Sequence, residues 1–169
     1  MQKSIFRLTR VLTLFGVGAV LPLSVSAQSV TTTITDGPGS YGRDTTVTGA
    51  NGRTASYQDN ASWGNGSYTD SRSATGFNGK TATSTTTASY VPGSSSRQTT
   101  VTGFNGQSSS YQNNRSWGNG SYSDTRSYTG VNGGTRTDTV SRSGGVVTNT
   151  FTGQNGNSRT FTRPARFRR

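Results

Sequence analysis

The 169-residue chain contains no cysteine and no histidine, and its acidic residues number six. All six are aspartates: Asp36, Asp44, Asp59, Asp70, Asp124 and Asp138. These absences exclude most catalytic devices. There is no imidazole to act as a base, no thiolate nucleophile and no Cys/His cage for a metal. Serine and threonine abound, but a hydroxyl without a positioned base is a weak nucleophile. A paired-aspartate glycosidase is the enzymatic option that survives. However, Asp70 and Asp124 hold equivalent places in two copies of one sequence unit, which fits a structural role. The expectation is a non-enzymatic protein with no catalytic, cofactor-binding or metal-binding residues.

Large aliphatic side chains are equally scarce. Beyond residue 27 the chain has one isoleucine, Ile34, and no leucine or methionine. An ordinary apolar core is therefore excluded, and without cysteine no disulfide framework replaces it. Composition this polar is compatible with disorder. A strict repeat period, plentiful Thr, Tyr, Val and Trp, and few prolines within the repeats argue for order instead. Rigidity must then come from backbone pairing and ladders of side chains.

One long apolar run is present, at the amino terminus. Lys3, Arg7 and Arg10 precede an uncharged stretch, Val11 to Ala27, that closes on Val25-Ser26-Ala27. A basic start, an apolar middle and small residues at the end predict a secretory signal peptide over residues 1–27. The run is marginal for a spanning helix and is weakened by Gly16, Gly18 and Pro22. No second apolar run follows. The expected mature chain, from Gln28, has no transmembrane segment and is secreted, extracellular or at the cell surface, with the periplasm as an alternative.

The pentapeptide Thr-Gly-x-Asn-Gly occurs five times, beginning at Thr48, Thr75, Thr102, Thr129 and Thr152. Successive copies start 27, 27, 27 and 23 residues apart. A fixed period of this length marks a repeat architecture. A larger duplication is also present: Thr45–Gly79 matches Thr99–Gly133 at 25 of 35 positions, 54 residues apart. Other turn signals fall between the pentapeptides, at Gly37-Pro38-Gly39, Gly64-Asn65-Gly66, Pro92-Gly93, Gly118-Asn119-Gly120 and Gly144-Gly145. Ten turns separate eleven candidate strands of about ten residues. Asn-Gly suits the type I′ turn of a tight hairpin.

The intervening segments alternate with period two, the mark of a strand. Ala55, Tyr57, Ala61 and Trp63 fall on one side of their segment, as do Tyr122, Asp124, Arg126 and Tyr128 of theirs. Ser, Thr, Asn and Gln fill the other side. The predicted fold is all-β, a repetitive antiparallel meander of ten to eleven short strands over residues 28–158. A β-solenoid with 27-residue rungs is the alternative. Such Ser/Asn/Gln/Gly-rich strand-turn-strand units resemble curlin-type secreted amyloid subunits in composition, while of curlin's regular spacing only Gln58 and Gln112 recur in register. Segments such as Asn51–Tyr57 look like YD-repeat β-shell proteins. The resemblance implies a secreted β-repeat protein of a bacterial surface or matrix and assigns no residue a role.

Three surfaces are candidates for binding. Arg159, Arg163, Arg166, Arg168 and Arg169 crowd the last eleven residues without an acid among them, and residues 159–169 read as a basic tail. Arginine forks suit phosphate, sulfate and carboxylate, so anionic extracellular polymers are candidate partners. No signature of specific nucleic-acid recognition accompanies them. Trp63, Trp117, Tyr68 and Tyr122 are candidates for stacking on sugar rings, although cross-strand aromatic pairing explains them more simply. Thr-x-Thr runs such as Thr81/Thr83/Thr85/Thr87 are similar to the ice-binding faces of some antifreeze proteins, a remote third reading. The expected function is a structural surface or matrix protein that associates with itself edge to edge. A carbohydrate- or polyanion-binding module is the alternative.

Overall fold

The computed structural model describes residues 27–165. The predicted signal segment apart from Ala27, and also Arg166, Arg168 and Arg169, lie outside the described residues. Eleven strands follow one another: β1 (Ala27–Gly37), β2 (Ser40–Gly49), β3 (Thr54–Gly64), β4 (Ser67–Thr75), β5 (Thr81–Val91), β6 (Ser94–Thr102), β7 (Ser108–Gly118), β8 (Ser121–Thr129), β9 (Thr135–Ser143), β10 (Val146–Thr152) and β11 (Ser158–Pro164). They form a single antiparallel sheet in sequence order. β1 and β11 are its two edges, and the sheet stays open. Each strand pairs with the next one along the chain, which rules out the solenoid, in which it would stack on the strand 27 residues later.

The pentapeptide makes a compact turn in which every fixed residue has a task. Gly79 is left-handed, at φ 74°. The Asn78 side-chain oxygen accepts from the Lys80 N–H at 3.1 Å, as Asn51 accepts from Arg53 and Asn105 from Gln107. That folded-back oxygen would lie 3.1 Å from a Cβ at position 76, so Gly76 leaves room for it. The leading threonine hydroxyl bonds across the pair, Thr75 to Thr81 at 2.9 Å and Thr102 to Ser108 at 2.7 Å. The asparagines of these turns are not left-handed. The type I′ signature, positive φ at both central residues, belongs instead to Asn65-Gly66, Asn119-Gly120 and Gly144-Gly145. Pro38-Gly39 and Pro92-Gly93 have positive φ at glycine alone, as in type II turns.

The two-residue turns also link to the following hairpin. The carbonyls of Gly39, Gly66 and Gly93 accept from the backbone N–H groups of Trp63, Tyr90 and Trp117 at 2.7–2.9 Å. The eleven-residue strands β3, β5 and β7 are long enough to reach these turns. β9, with nine residues, ends at Ser143 and stops short of Gly120.

Register sorts the side chains completely. On one face lie Val30, Ile34, Tyr41, Tyr57, Trp63, Tyr68, Tyr90, Tyr111, Trp117, Tyr122, Tyr128, Phe151 and Phe161, together with every charged strand residue except Asp44. The other face is Ser, Thr, Asn and Gln, broken by Asp44, Val91, Val146, Pro164 and strand glycines. Its hydroxyls bond one another across strands, as in Ser89–Ser96 at 2.8 Å and Thr150–Thr160 at 3.0 Å. Neither face is covered. Among the described residues the only buried hydrophobic side chain is Ala55. The sheet is a single layer, held by its ladders and by what its aromatic face arranges among itself.

One expectation about the ends changes. Residues 159–164 are not a free tail: Arg159 pairs with Phe151 and Arg163 with Val147, so the sheet runs past Ser158. Alternation of Arg159, Phe161 and Arg163 with Ser158, Thr160 and Thr162 is what makes this a strand.

Candidate functional site

The charged groups of the aromatic face collect into two clusters, one in each copy of the 54-residue duplication. In the first, Asp59 lies opposite Arg72, and Asp70 is two residues from Arg72 on the same strand face. Arg72 Nη2 meets Asp70 at 2.9 Å and its Nε meets Asp59 at 3.4 Å. Burial works against the Arg72 charge, but the two carboxylates outweigh it and raise its pKa. The Tyr57 hydroxyl donates to Asp59 at 3.4 Å, and the Arg43 guanidinium lies 6.0 Å from the Tyr57 ring centre. Burial, then the Asp59 charge, pushes the Tyr57 phenol up.

In the second cluster the roles are exchanged. Asn113 replaces Asp59, and Arg115 replaces Ala61. Asp124 becomes the hub, with 3% of its surface exposed. Arg126 donates to it at 2.8 Å, the Tyr122 hydroxyl at 3.3 Å, and Arg115 lies 3.4 Å away. The Asn113 amide donates to its other oxygen. Burial alone would raise the Asp124 pKa. Hydrogen bonds from Arg126 and Asn113, with the charges of Arg126 and Arg115, hold it below the usual carboxylate range. In the first cluster the corresponding oxygen, Asp70 Oδ1, is buried without a hydrogen-bond partner. Asp59, at the place of Asn113, is an acceptor and gives that oxygen no donor, and Ala61 opposite offers none either.

The sugar-stacking candidates are two directly opposed cross-strand pairs, Trp63 with Tyr68 and Trp117 with Tyr122, each flanking a type I′ turn. All four stay exposed. Tyr90 joins one of these pairs, a contact that alternation alone does not reveal: its ring centre lies 5.8 Å from that of Trp117. Asp36 holds the place 54 residues earlier, so Trp63 has no such neighbour.

Tyr90 also borders an open groove of about 480 Å³ where the two copies meet. Tyr68, Tyr111, Asn113, Arg97 and Arg115 complete its aromatic and cationic lining. Of the tail candidates, Arg159 and Arg163 lie on the same face in β11. They sit near Arg136, which lies over the Phe151 ring at 5.6 Å, and Arg142. Arg166, Arg168 and Arg169 are outside the described residues.

Among the described residues no three His, Cys, Asp or Glu side chains converge to hold a metal. No helix among them is long and apolar enough to cross a membrane. Comparison with protein-family models, with curated proteins and with solved structures yields no match.

Proposed function

We propose that this is a non-enzymatic structural repeat protein of an exported surface or matrix layer, whose copies join through their sheet edges. The observation that carries the reading is the single open sheet of eleven strands, with both edge strands unpaired. Unpaired strand edges template the addition of further strands unless charge, proline or a bulge blocks them. β1 presents Thr31 and Thr33 between Val30 and Ile34, then Thr35, with Asp36 as its one charge. β11 carries Arg159 and Arg163, whose like charges oppose pairing with a second β11 but not with β1, and Pro164 only at its last position. The edges differ, so joining one to the other is heterologous and generates an open chain of copies rather than a closed dimer. The signal-like amino terminus and the lack of catalytic side-chain types support the same reading.

The test is sedimentation and electron microscopy of the purified protein over a range of concentration and salt. Assembly into ribbons or filaments, abolished by lysines at Thr31 and Thr33 in the β1 edge, is the expected result. A monomer at every concentration would overturn the proposal.

A further inference from the structure

The aromatic face is electrically uneven. On β1–β5 it carries Arg43 and Arg72 against Asp36, Asp59 and Asp70. On β6–β11 it carries Arg97, Arg115, Arg126, Arg136, Arg142, Arg159 and Arg163 against Asp124 and Asp138 alone. That half of the face therefore carries a net charge of +5, seven arginines against two aspartates. Arg97, Arg159 and Arg163 make no ion pair among the described residues. Isolated surface charges of this kind are usually solubilising. Here they share a face with Tyr90, Trp117, Tyr122, Phe151 and Phe161, and Arg97 lines the groove.

Register also spaces them. One row across the sheet runs Tyr68, Ala88, Arg97, Asn113, Arg126, Asp138, Phe151, Arg159. Arg97 and Arg126 are two strands apart, as are Arg142 and Arg163 on a parallel row, which is about 9.5 Å at the usual strand separation. That is the length of two sugar units. A nucleic-acid backbone has a charge every ~3.4 Å of axis per strand, a much denser ladder. Arginine forks take carboxylate or sulfate oxygens in pairs, and the aromatic rings on the adjoining rows, Tyr90, Tyr111, Tyr128 and Phe161, offer flat faces to sugar rings.

We propose that the β6–β11 half of the aromatic face binds an acidic polysaccharide, laid across the strands, with one carboxylate or sulfate in each disaccharide. The chain enters over Tyr68 and Tyr90. Its acidic groups engage Arg97 and, one disaccharide on, Arg126; Arg159 lies three strands further along the same row, past Asp138, and Arg142 and Arg163 repeat the two-strand spacing on a parallel row. The free monomer is sufficient for this, so the site does not depend on edge assembly.

The experiment titrates the purified protein with chondroitin sulfate and hyaluronan oligosaccharides, with neutral dextran and a single-stranded oligothymidylate alongside. Sedimentation in the same samples scores assembly separately. Binding to an acidic oligosaccharide, weakened at least tenfold by the double substitution Arg97→Gln/Arg159→Gln and by Tyr90→Ala, is the expected result. Arg43→Gln, on the other half, is expected to change it less than twofold. The circular dichroism spectrum, unchanged in each variant, separates lost binding from lost folding. Binding should weaken as salt rises and vanish for dextran. No binding to either acidic glycan, or equal affinity in the double variant, would overturn the proposal. Tighter binding of oligothymidylate, lost on the same substitutions, would overturn it in favour of nucleic acid.

Discussion

At the centre of the first copy one arginine is gripped by two aspartates; at the same place in the second, one aspartate is gripped by two arginines. Two substitutions separate them, Asp59 to Asn113 and Ala61 to Arg115. Strand register is the same, and Tyr57, Trp63 and Tyr68 recur as Tyr111, Trp117 and Tyr122, while Ala74 opposite Tyr57 becomes Tyr128 opposite Tyr111. Each exchange raises the charge of the face by one. Together they also complete the hydrogen bonding of a buried carboxylate that the first copy leaves half satisfied. Stability and surface charge have thus been changed by the same pair of side chains, with the backbone scaffold held constant.

The sharpest way to break the equivalence lies at the turns. A methyl group at Gly66 would stand 2.3 Å from the Tyr90 carbonyl oxygen, whereas at Gly120 it would meet nothing within 4 Å. Both glycines are left-handed. Gly120→Ala should therefore cost about 1 kcal/mol, for the backbone conformation alone. Gly66→Ala should cost about 3 kcal/mol, because it also displaces the turn from the end of β5. Urea unfolding of the two variants measures the difference, and equal costs would show that the docked turn contributes nothing.

Next in size is the pair of hub residues. Asp124→Ala leaves Asn113 and two arginines without their acceptor and should cost about 2 kcal/mol. Asp70→Ala loses one ion pair but also removes an unsatisfied buried oxygen, so about 1 kcal/mol or less is expected. Acid titration sharpens this. The folded pKa of Asp124 lies below its unfolded value, so its contribution is complete above the ordinary carboxylate range. It is lost as pH falls through that range to the folded value. The stability gap between the wild-type protein and Asp124→Asn should accordingly narrow below about pH 4.

The smallest expected effect comes from converting one copy into the other. Asp59→Asn with Ala61→Arg should bring both missing donors to Asp70 and raise stability by about 0.5–1 kcal/mol. It should also make the β1–β5 half of the face retain acidic glycans. A variant that gains neither would show that the clusters depend on more than these two positions.

Much of this molecule is legible in its sequence, for identifiable reasons. Period-two alternation with no apolar core leaves no doubt about strands, and copying repeats the signal eleven times. Trp63, Tyr68, Asp70 and Arg72 share a face by counting alone. What counting does not supply is the vertical offset between hairpins, which depends on turn geometry. The sequence therefore hid the row that aligns Arg97 with Arg126 and the contact of Tyr90 with Trp117. It also hid the edges: residues 159–164 looked like the start of a basic tail because their arginines outweighed their alternation. Asn113 was missed as a donor to Asp124, although its departure from Asp59 in an otherwise matched segment was the available signal.

The meander has a mechanical consequence. Every strand packs only on its neighbours in sequence, and the two ends of the described chain lie in strands at opposite edges of the sheet. A pull on those ends loads the outermost ladders first and peels them away one at a time, rather than shearing the whole sheet at once. Each 27-residue unit released in this way yields up to about 90 Å of extended chain. Between two anchors the protein would act as an extensible link, giving way in steps and recoiling as hairpins zip back on to the remaining sheet. Force spectroscopy should record such steps at low, similar forces.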